Sequence, residues 1–161
     1  MSYKKKFAFL NIYICHMESA KSVSYNNKGK GTIINLEQGK IPPQALDLEE
    51  AVLGAMMIHK KGVDDVIDII HADAFYKPAH QFIYNAIFSL FENSEPIDLL
   101  TVSNQLKKDE KLDAVGGDFY LINLSQKVSS AAHIEFHARI ILQKYIQRRL
   151  ISISNEIITS S

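Results

Sequence analysis

The C-terminal part of the sequence limits the fold most strongly, because residues 129–158 contain neither glycine nor proline. These are the two residues that most disfavour a helix interior, so we expect one continuous helix here, capped by Ser129 or Ser130. At 1.5 Å per residue, a helix of about 28 residues would be roughly 42 Å long. Its second half carries Leu150, Ile153 and Ile157. We expect this half to project beyond the globule with these apolar side chains uncovered.

Helix start and stop signals predict shorter helices earlier in the chain. Asp47, followed three residues later by Glu50, is a variant of the capping box and predicts the start of a first helix. Gly54 costs about 1 kcal/mol relative to alanine inside a helix, and so indicates a neighbouring backbone that passes close to it. Gly62 is expected to end this unit or to separate it from a short second helix, whose apolar residues at 63–70 follow helical spacing.

Similar signals predict three more helices before the long one. Pro78 suits the first turn of a third helix, where its missing N–H does no harm. Asp98 can cap a fourth helix, and Gly116 and Gly117 are expected to form a turn before a fifth. No segment alternates apolar and polar residues with the period of a strand. The sequence therefore predicts an all-α fold, a compact bundle of about six helices with a long protruding C-terminal helix.

The composition of the chain is that of a soluble domain. Its 161 residues are about the length of one domain, and 47% of them are apolar and 22% charged. The single cysteine cannot form an internal disulfide bond. No run reaches the ~20 apolar residues that a membrane-spanning helix needs. We therefore expect a cytoplasmic protein with no membrane partner.

The zero net charge hides an uneven distribution of charged residues. Residues 1–41 carry a net charge of +5, residues 42–126 carry −8 and residues 127–161 carry +3. Nucleic-acid binding draws much of its affinity from cations that neutralise phosphates. The acidic body therefore predicts little direct DNA binding. The basic segment leaves open the alternative of a nucleic-acid-binding module that uses residues 1–41.

Residues 1–41 are predicted to form a basic arm that is disordered or poorly ordered, since residues 19–31 are polar, rich in turn formers and without apolar periodicity. Lysines at positions 4–6 precede an apolar run at 7–15, which has the outline of a secretory signal. Asn11 interrupts that run, and no small-residue cleavage site follows it. Met17 offers the alternative that residues 1–16 are an upstream extension.

Residue patterns that would indicate catalysis are weak in this sequence. Neither Gly-Lys pair belongs to the G-x-x-x-x-G-K-[ST] pattern that binds nucleotide phosphates. His133 and His137 are spaced four residues apart, as two metal-binding imidazoles on a helix would be. A small helical metal-binding protein that uses this pair, with His80 as a further ligand, is therefore the alternative function. Packing or hydrogen bonding to a loop is the other interpretation of His80.

Five separated strings of the body resemble the N-terminal domain of the bacterial replicative DNA helicase, the DnaB family. They occur in this order along residues 41–158: PPQALDLEEAVLGAMM, DAFYKPAHQFIYNAI, EPIDLLTV, LDAVGGDFYLINL and SAAHIEFHARII. Several motifs in one order are far more specific than a single short motif. The resemblance does not extend to residues 1–41.

The resemblance implies a helical globule followed by a helical hairpin, of which residues 42–161 would supply the globule and the first hairpin helix. In the family, six subunits ring single-stranded DNA, and a C-terminal ATPase domain uses ATP and Mg²⁺ to separate the strands of duplex DNA. We expect this chain to be a fragment without the second hairpin helix and without that domain. It would then have no catalytic activity and no cofactor of its own.

The family's N-terminal domains form a collar, arranged as a trimer of dimers, that supports the hexamer and recruits primase. The resemblance therefore implies primase and other helicase subunits as partners, and it leaves room for a helicase loader. Tyr145, Arg148 and Arg149 on the last helix are our candidate partner-interface residues, because we expect them to be exposed together and because Tyr and Arg often anchor interfaces. With one hairpin helix, we expect a monomer or a weak dimer.

Overall fold

The computed structural model describes residues 41–128 and 133–160, and all regular secondary structure in these ranges is helical. The predicted all-α fold is confirmed. Residues 1–40, which include nearly all of the predicted basic arm, and the predicted caps Ser129 and Ser130 lie outside the described residues. The helices are α1 (Leu46–Ile58), α2 (Lys60–Ile67), a 3₁₀ turn (Ala72–Ala74), α3 (Pro78–Glu92), α4 (Leu99–Lys108), α5 (Leu112–Val115), α6 (Gly117–Gln126) and α7 (Ile134–Ser160).

Helix α1 lies at the centre of the globule and packs against α2, α3, α6 and α7. Val52, Leu53 and Met56 are fully buried on it. A Cβ atom at Gly54 would overlap the backbone carbonyl oxygen of Leu124 in α6. The close backbone that this glycine predicted is therefore present, and it lets α6 lie directly against α1.

Two predictions about the ends of α1 and α2 are wrong. Helix α1 begins one residue before Asp47, and no side chain caps its N-terminus. The predicted capping box is missing because Asp47 lies inside the helix, whose N-cap residue is Ala45, and because the Glu50 carboxylate binds Lys127. Gly62 does not end a helix but lies inside α2, while the break falls at His59, whose backbone is extended. Gly62 lies close to α1, since a Cβ there would be in tight contact, at 3.2 Å, with the carbonyl oxygen of Ala55.

The local signals for the middle helices are confirmed. Pro78 is the first residue of α3. The Asp98 carboxylate accepts hydrogen bonds from the backbone N–H groups of Leu100 and Thr101, both at 2.9 Å, and so caps α4. Gly116 and Gly117 have φ of +106° and +73°, a conformation that glycine adopts without steric cost, and they turn the chain from α5 into α6.

Helix α7 has two parts that differ in their surroundings. Its first part carries Ile134, Ala138 and Ile141, which are buried against the globule. Between residues 149 and 160, every residue is exposed except Ser152 and Asn155, which are partly exposed. The predicted projection of a long C-terminal helix is confirmed. Among the described residues, no helix is both long and apolar enough to span a bilayer.

Candidate partner-docking surface

The outer part of α7 carries an exposed apolar stripe, which we define as Ile146, Leu150, Ile153 and Ile157. These residues are separated by four, three and four positions, so they lie along one side of the helix with the spacing of a helix–helix seam. Leu150 is 58% exposed and Ile157 is 61% exposed. Contiguous exposed apolar surface on a soluble domain is typical of a protein-interaction site. The stripe can therefore accept an apolar helix or groove from a partner.

Arg148 lies where α7 leaves the globule, and its guanidinium group is turned towards the globule. Nη1 donates a hydrogen bond of 2.8 Å to the carbonyl oxygen of Pro43, and Nη2 donates one of 2.7 Å to that of Ala74. The guanidinium carbon lies 5.5 Å from the ring centre of Tyr76 and 5.8 Å from that of Tyr145. Arg148 therefore connects α7 to two other segments of the same chain.

The three predicted interface residues differ in exposure. Tyr145 is partly buried, and its ring meets that of His71 edge to face, with 5.0 Å between the ring centres. Arg148 is also partly buried, whereas Arg149 is exposed. The expectation that the three would be exposed together is corrected, because Tyr145 and Arg148 pack against the globule. Arg149 is the one of the three whose side chain faces solvent.

A buried polar network joins α1, α3 and α6, and sequence reasoning missed it. The Glu49 carboxylate accepts a 2.8 Å hydrogen bond from the backbone N–H of Tyr76 and lies 2.7 Å from Nδ1 of His80. The other ring nitrogen, Nε2, lies 2.8 Å from the Tyr120 hydroxyl oxygen, which also accepts a 3.0 Å hydrogen bond from Lys77 Nζ. His80 is therefore packed inside the fold, but its hydrogen-bond partners lie on helices α1 and α6 and not on a loop, as one of its interpretations expected.

The same network reaches the surface through Glu50 and Lys127. The Tyr120 hydroxyl donates a 3.3 Å hydrogen bond to Oε1 of Glu50, whose Oε2 binds Lys127 Nζ. Partial burial raises the pKa of Glu50, but the hydrogen bond and charge of Lys127 and the hydrogen bond from Tyr120 outweigh that effect. The pKa of Glu50 consequently lies below its ordinary value of 4.5. The pair holds α1 against the residue that follows α6.

The chain of carboxylate, imidazole and hydroxyl has the order of an acid–base relay. However, His80 is 0% exposed and Glu49 is 1% exposed, so a substrate cannot reach either group. A buried polar group must be hydrogen-bonded to avoid a large desolvation cost, and this network meets that need. Its geometry fits a structural role.

The alternative of a metal site at His133 and His137 gains no support from the geometry. Zinc sites, the type for which such a histidine pair is typical, use three or four protein ligands. Across residues 41–128 and 133–160, no group of three or more His, Cys, Asp or Glu side chains is placed to hold a metal ion. His80, the further ligand considered, is bonded to Glu49 and Tyr120.

A second apolar surface lies between α4 and α6 and was also missed by sequence reasoning. Leu100 is 72% exposed and Phe119 is 73% exposed, and a hollow of about 150 Å³ lies between Leu100 and Ile122. An ion pair of 3.4 Å between Lys107 and Asp118 lies at its rim. The signal in the sequence was an apolar residue, such as Leu100 or Phe119, on the solvent side of a helix. A single sequence does not show whether such a residue is exposed or belongs to the core.

Residues 41–143 match the family model described as the DnaB-like helicase N-terminal domain. The chain belongs to this family. Among curated relatives, the replicative DNA helicase DnaB of Rhodothermus marinus is 42% identical over 117 residues, which are 73% of this chain and 12% of that protein. Other curated DnaB-type helicases are matched over about a quarter of their length. The DnaB-like domain therefore spans a small part of the helicases that it matches.

Solved structures of DnaB N-terminal domains share the fold. The crystal structure from Mycobacterium tuberculosis is 36% identical, with a TM-score of 0.72 over 74% of this chain and 86% of that chain. The structure from Helicobacter pylori is 20% identical, with a TM-score of 0.62 over 71% of this chain and 89% of that chain, and it is described together with its interactions with primase. The second likeness concerns the fold alone.

Proposed function

We propose that this chain acts as the N-terminal collar domain of a replicative DNA helicase, where it contributes to hexamer assembly and docks primase during DNA replication in the cytoplasm. The observation that carries the proposal is the exposed apolar stripe of α7 in a chain of the DnaB-like family. Such a stripe serves protein contacts. The net charge of −8 over residues 42–126 suits a domain that does not itself hold DNA.

Primase is the proposed partner for two reasons. The Helicobacter pylori domain, which has the same fold, is described with its interactions with primase. In the present chain, the exposed Arg149 directly precedes Leu150 of the apolar stripe on α7. An arginine beside an apolar patch is a frequent interface anchor. We therefore assign primase docking to this surface, with Arg149 as its solvent-facing contact.

Strand separation by the whole helicase would use ATP and Mg²⁺, but the residues of this chain do not fit that role. The sequence has no G-x-x-x-x-G-K-[ST] pattern to bind nucleotide phosphates. The proposed function is therefore assembly and docking, and no catalytic step is assigned to these residues. A loader protein would be a further partner of the same collar.

Calorimetric titration of this chain with the primase from the same genome tests the proposal. We expect saturable binding, and we expect Arg149→Ala to weaken the affinity about tenfold, which corresponds to 1.4 kcal/mol. Gln143→Ala is the matched control, since Gln143 is also exposed on α7 but lies one to two turns nearer the globule. We expect this control to bind primase as the wild type does.

Two outcomes contradict the proposed docking surface. No measurable binding by the folded wild-type chain would exclude primase as a direct partner of this domain. An equal loss of affinity for Arg149→Ala and Gln143→Ala would show that the surface near Arg149 contributes no more to primase binding than the rest of α7. Circular dichroism of each variant establishes that both remain helical.

A further inference from the structure

We propose that Arg148 is a positioning residue, which fixes the direction in which the outer part of α7 leaves the globule. It does this through hydrogen bonds to the backbone and not by contact with a partner. The two acceptors are the carbonyl oxygens of Pro43 and Ala74, at 2.8 Å and 2.7 Å. The positioning of α7 by Arg148 concerns this chain alone. Its importance for how the stripe meets a partner rests on the proposed function.

The geometry of the guanidinium group explains why arginine is needed. Its N–H groups form a rigid planar fork, so two of them can bind two acceptors at fixed relative positions. Nη1 and Nη2 each bind one carbonyl, one before α1 and one in the 3₁₀ turn (Ala72–Ala74). A lysine ammonium group is a single point of charge on a flexible stem. It would not hold the two segments in the same relation to α7.

The position of Arg148 along α7 gives this fork its effect. Upstream, Ile134, Ala138 and Ile141 fix the first part of the helix in the core. Downstream, Leu150, Ile153 and Ile157 of the stripe are exposed, so the globule places few restraints on them. The ring centres of Tyr76 and Tyr145 lie within 6 Å of the guanidinium carbon at this boundary. Arg148 therefore braces α7 at the point where core packing ends.

Double electron–electron resonance, which measures the distance between two spin labels, tests this inference on the full chain. One label is attached after Asn85→Cys on α3 and the other after Ser154→Cys on the outer part of α7, with Cys15→Ser to remove the native thiol. Asn85 and Ser154 are both exposed. We expect one narrow distance distribution for this labelled protein. We expect Arg148→Ala to broaden or displace the distribution and Arg149→Ala to leave it unchanged.

A second label pair, at Asn85→Cys and Gln143→Cys, reports on the part of α7 that the core holds. We expect Arg148→Ala to leave this distribution narrow, which a general loosening of the fold would not do. If Arg148→Ala does not fold, Arg148→Lys takes its place, since it keeps the charge and the aliphatic stem but loses the fork. The broadening across Ser154 is expected for Arg148→Lys as well.

A distribution across Ser154 that keeps both the mean distance and the width of the parent in Arg148→Ala or in Arg148→Lys would overturn the inference. Equal broadening by Arg148→Ala and Arg149→Ala would also overturn it. The measurement needs no partner. A failure to bind primase would therefore contradict the proposed function and leave the result for Arg148 intact.

Discussion

At the scale of single residues, the imidazole of His80 is bonded at both of its nitrogen atoms. Nδ1 faces the Glu49 carboxylate and Nε2 faces the Tyr120 hydroxyl, and neither His80 nor Glu49 is accessible to solvent. A buried carboxylate is tolerated only where hydrogen bonds replace its hydration. Glu49 has such bonds from His80 and from the backbone N–H of Tyr76. Removal of the imidazole would leave a buried carboxylate oxygen unpaired.

We predict that His80→Leu lowers the free energy of unfolding by about 1–3 kcal/mol, because a buried carboxylate oxygen of Glu49 loses its hydrogen-bond partner. Urea titration followed by circular dichroism measures the change. His133→Leu is the matched control, since His133 is exposed and its substitution should alter stability by less than about 0.5 kcal/mol. Equal effects of the two substitutions would contradict a structural role for the buried network.

At the scale of helices, Glu50 connects α1 to the residue that follows α6. Its carboxylate binds Lys127 and accepts a hydrogen bond from Tyr120, and the sequence separations are 77 and 70 residues. Gly54 allows the α6 backbone to lie directly against the middle of α1. The ion pair between Glu50 and Lys127 adds a second contact at one end of the same interface. The packing of α1 on α6 thus depends on one small residue and one charged pair.

The lowered pKa of Glu50 predicts a pH dependence of stability. The carboxylate titrates near 4.5 in the unfolded chain and below that value in the folded chain. Its contribution is therefore complete above about pH 4.5 and is lost as the pH falls through the folded pKa. We expect the difference in unfolding free energy between the wild type and Glu50→Gln to be constant near neutral pH and to shrink below pH 4.5. A difference that stays constant as the pH falls below 4.5 would contradict this role of Glu50.

The sequence predicted the role of a residue where its partners are close in the sequence, and it failed where the partners belong to another helix. Pro78 and Asp98 act on the few residues around them, so their helices began where the sequence predicted. Glu50 and Gly62 were misassigned because each is used by a distant segment, Glu50 by Lys127 and Gly62 by Ala55 and Ile134. A glutamate can take part either in a capping box or in an ion pair. Only the three-dimensional neighbours decide which one forms.

The candidate site follows the same division. The apolar spacing of Leu150, Ile153 and Ile157 and the length of the helix predicted the exposed stripe. The inward turn of Arg148 could not be predicted, since its acceptors are carbonyl groups 105 and 74 residues away. Backbone carbonyl groups are present at every residue and so leave no trace in the sequence. The buried network around His80 was hidden for a similar reason, because its members lie on three helices.

At the scale of the whole molecule, the stripe on α7 is the feature that should govern self-association. Burial of one Leu or Ile side chain contributes about 1.5–3 kcal/mol. Loss of translational and rotational freedom on association costs about 4–15 kcal/mol. A contact made by a few such side chains from each copy is therefore weak. The expectation of a monomer or a weak dimer stays a prediction for this chain.

Sedimentation velocity over a range of concentrations measures this association. We predict that Leu150→Ser together with Ile153→Ser shifts the chain towards the monomer and leaves the unfolding temperature within about 3 °C of the wild type, because both side chains are exposed. Asn155→Ser controls for the loss of a larger side chain on the side of α7 opposite the stripe. A stable hexamer, or a dimer unaffected by the double substitution, would contradict the role of the stripe.

The length of α7 beyond Arg148 amplifies small rotations. The 12 residues from 149 to 160 extend about 18 Å at 1.5 Å per residue, so a rotation of about 10° at Arg148 moves the tip by about 3 Å. That displacement is about as large as the donor–acceptor distance of a hydrogen bond. The affinity of a partner that contacts both the globule and the end of α7 would therefore depend on the two hydrogen bonds that Arg148 donates to backbone carbonyls, although these lie far from the partner's own contacts.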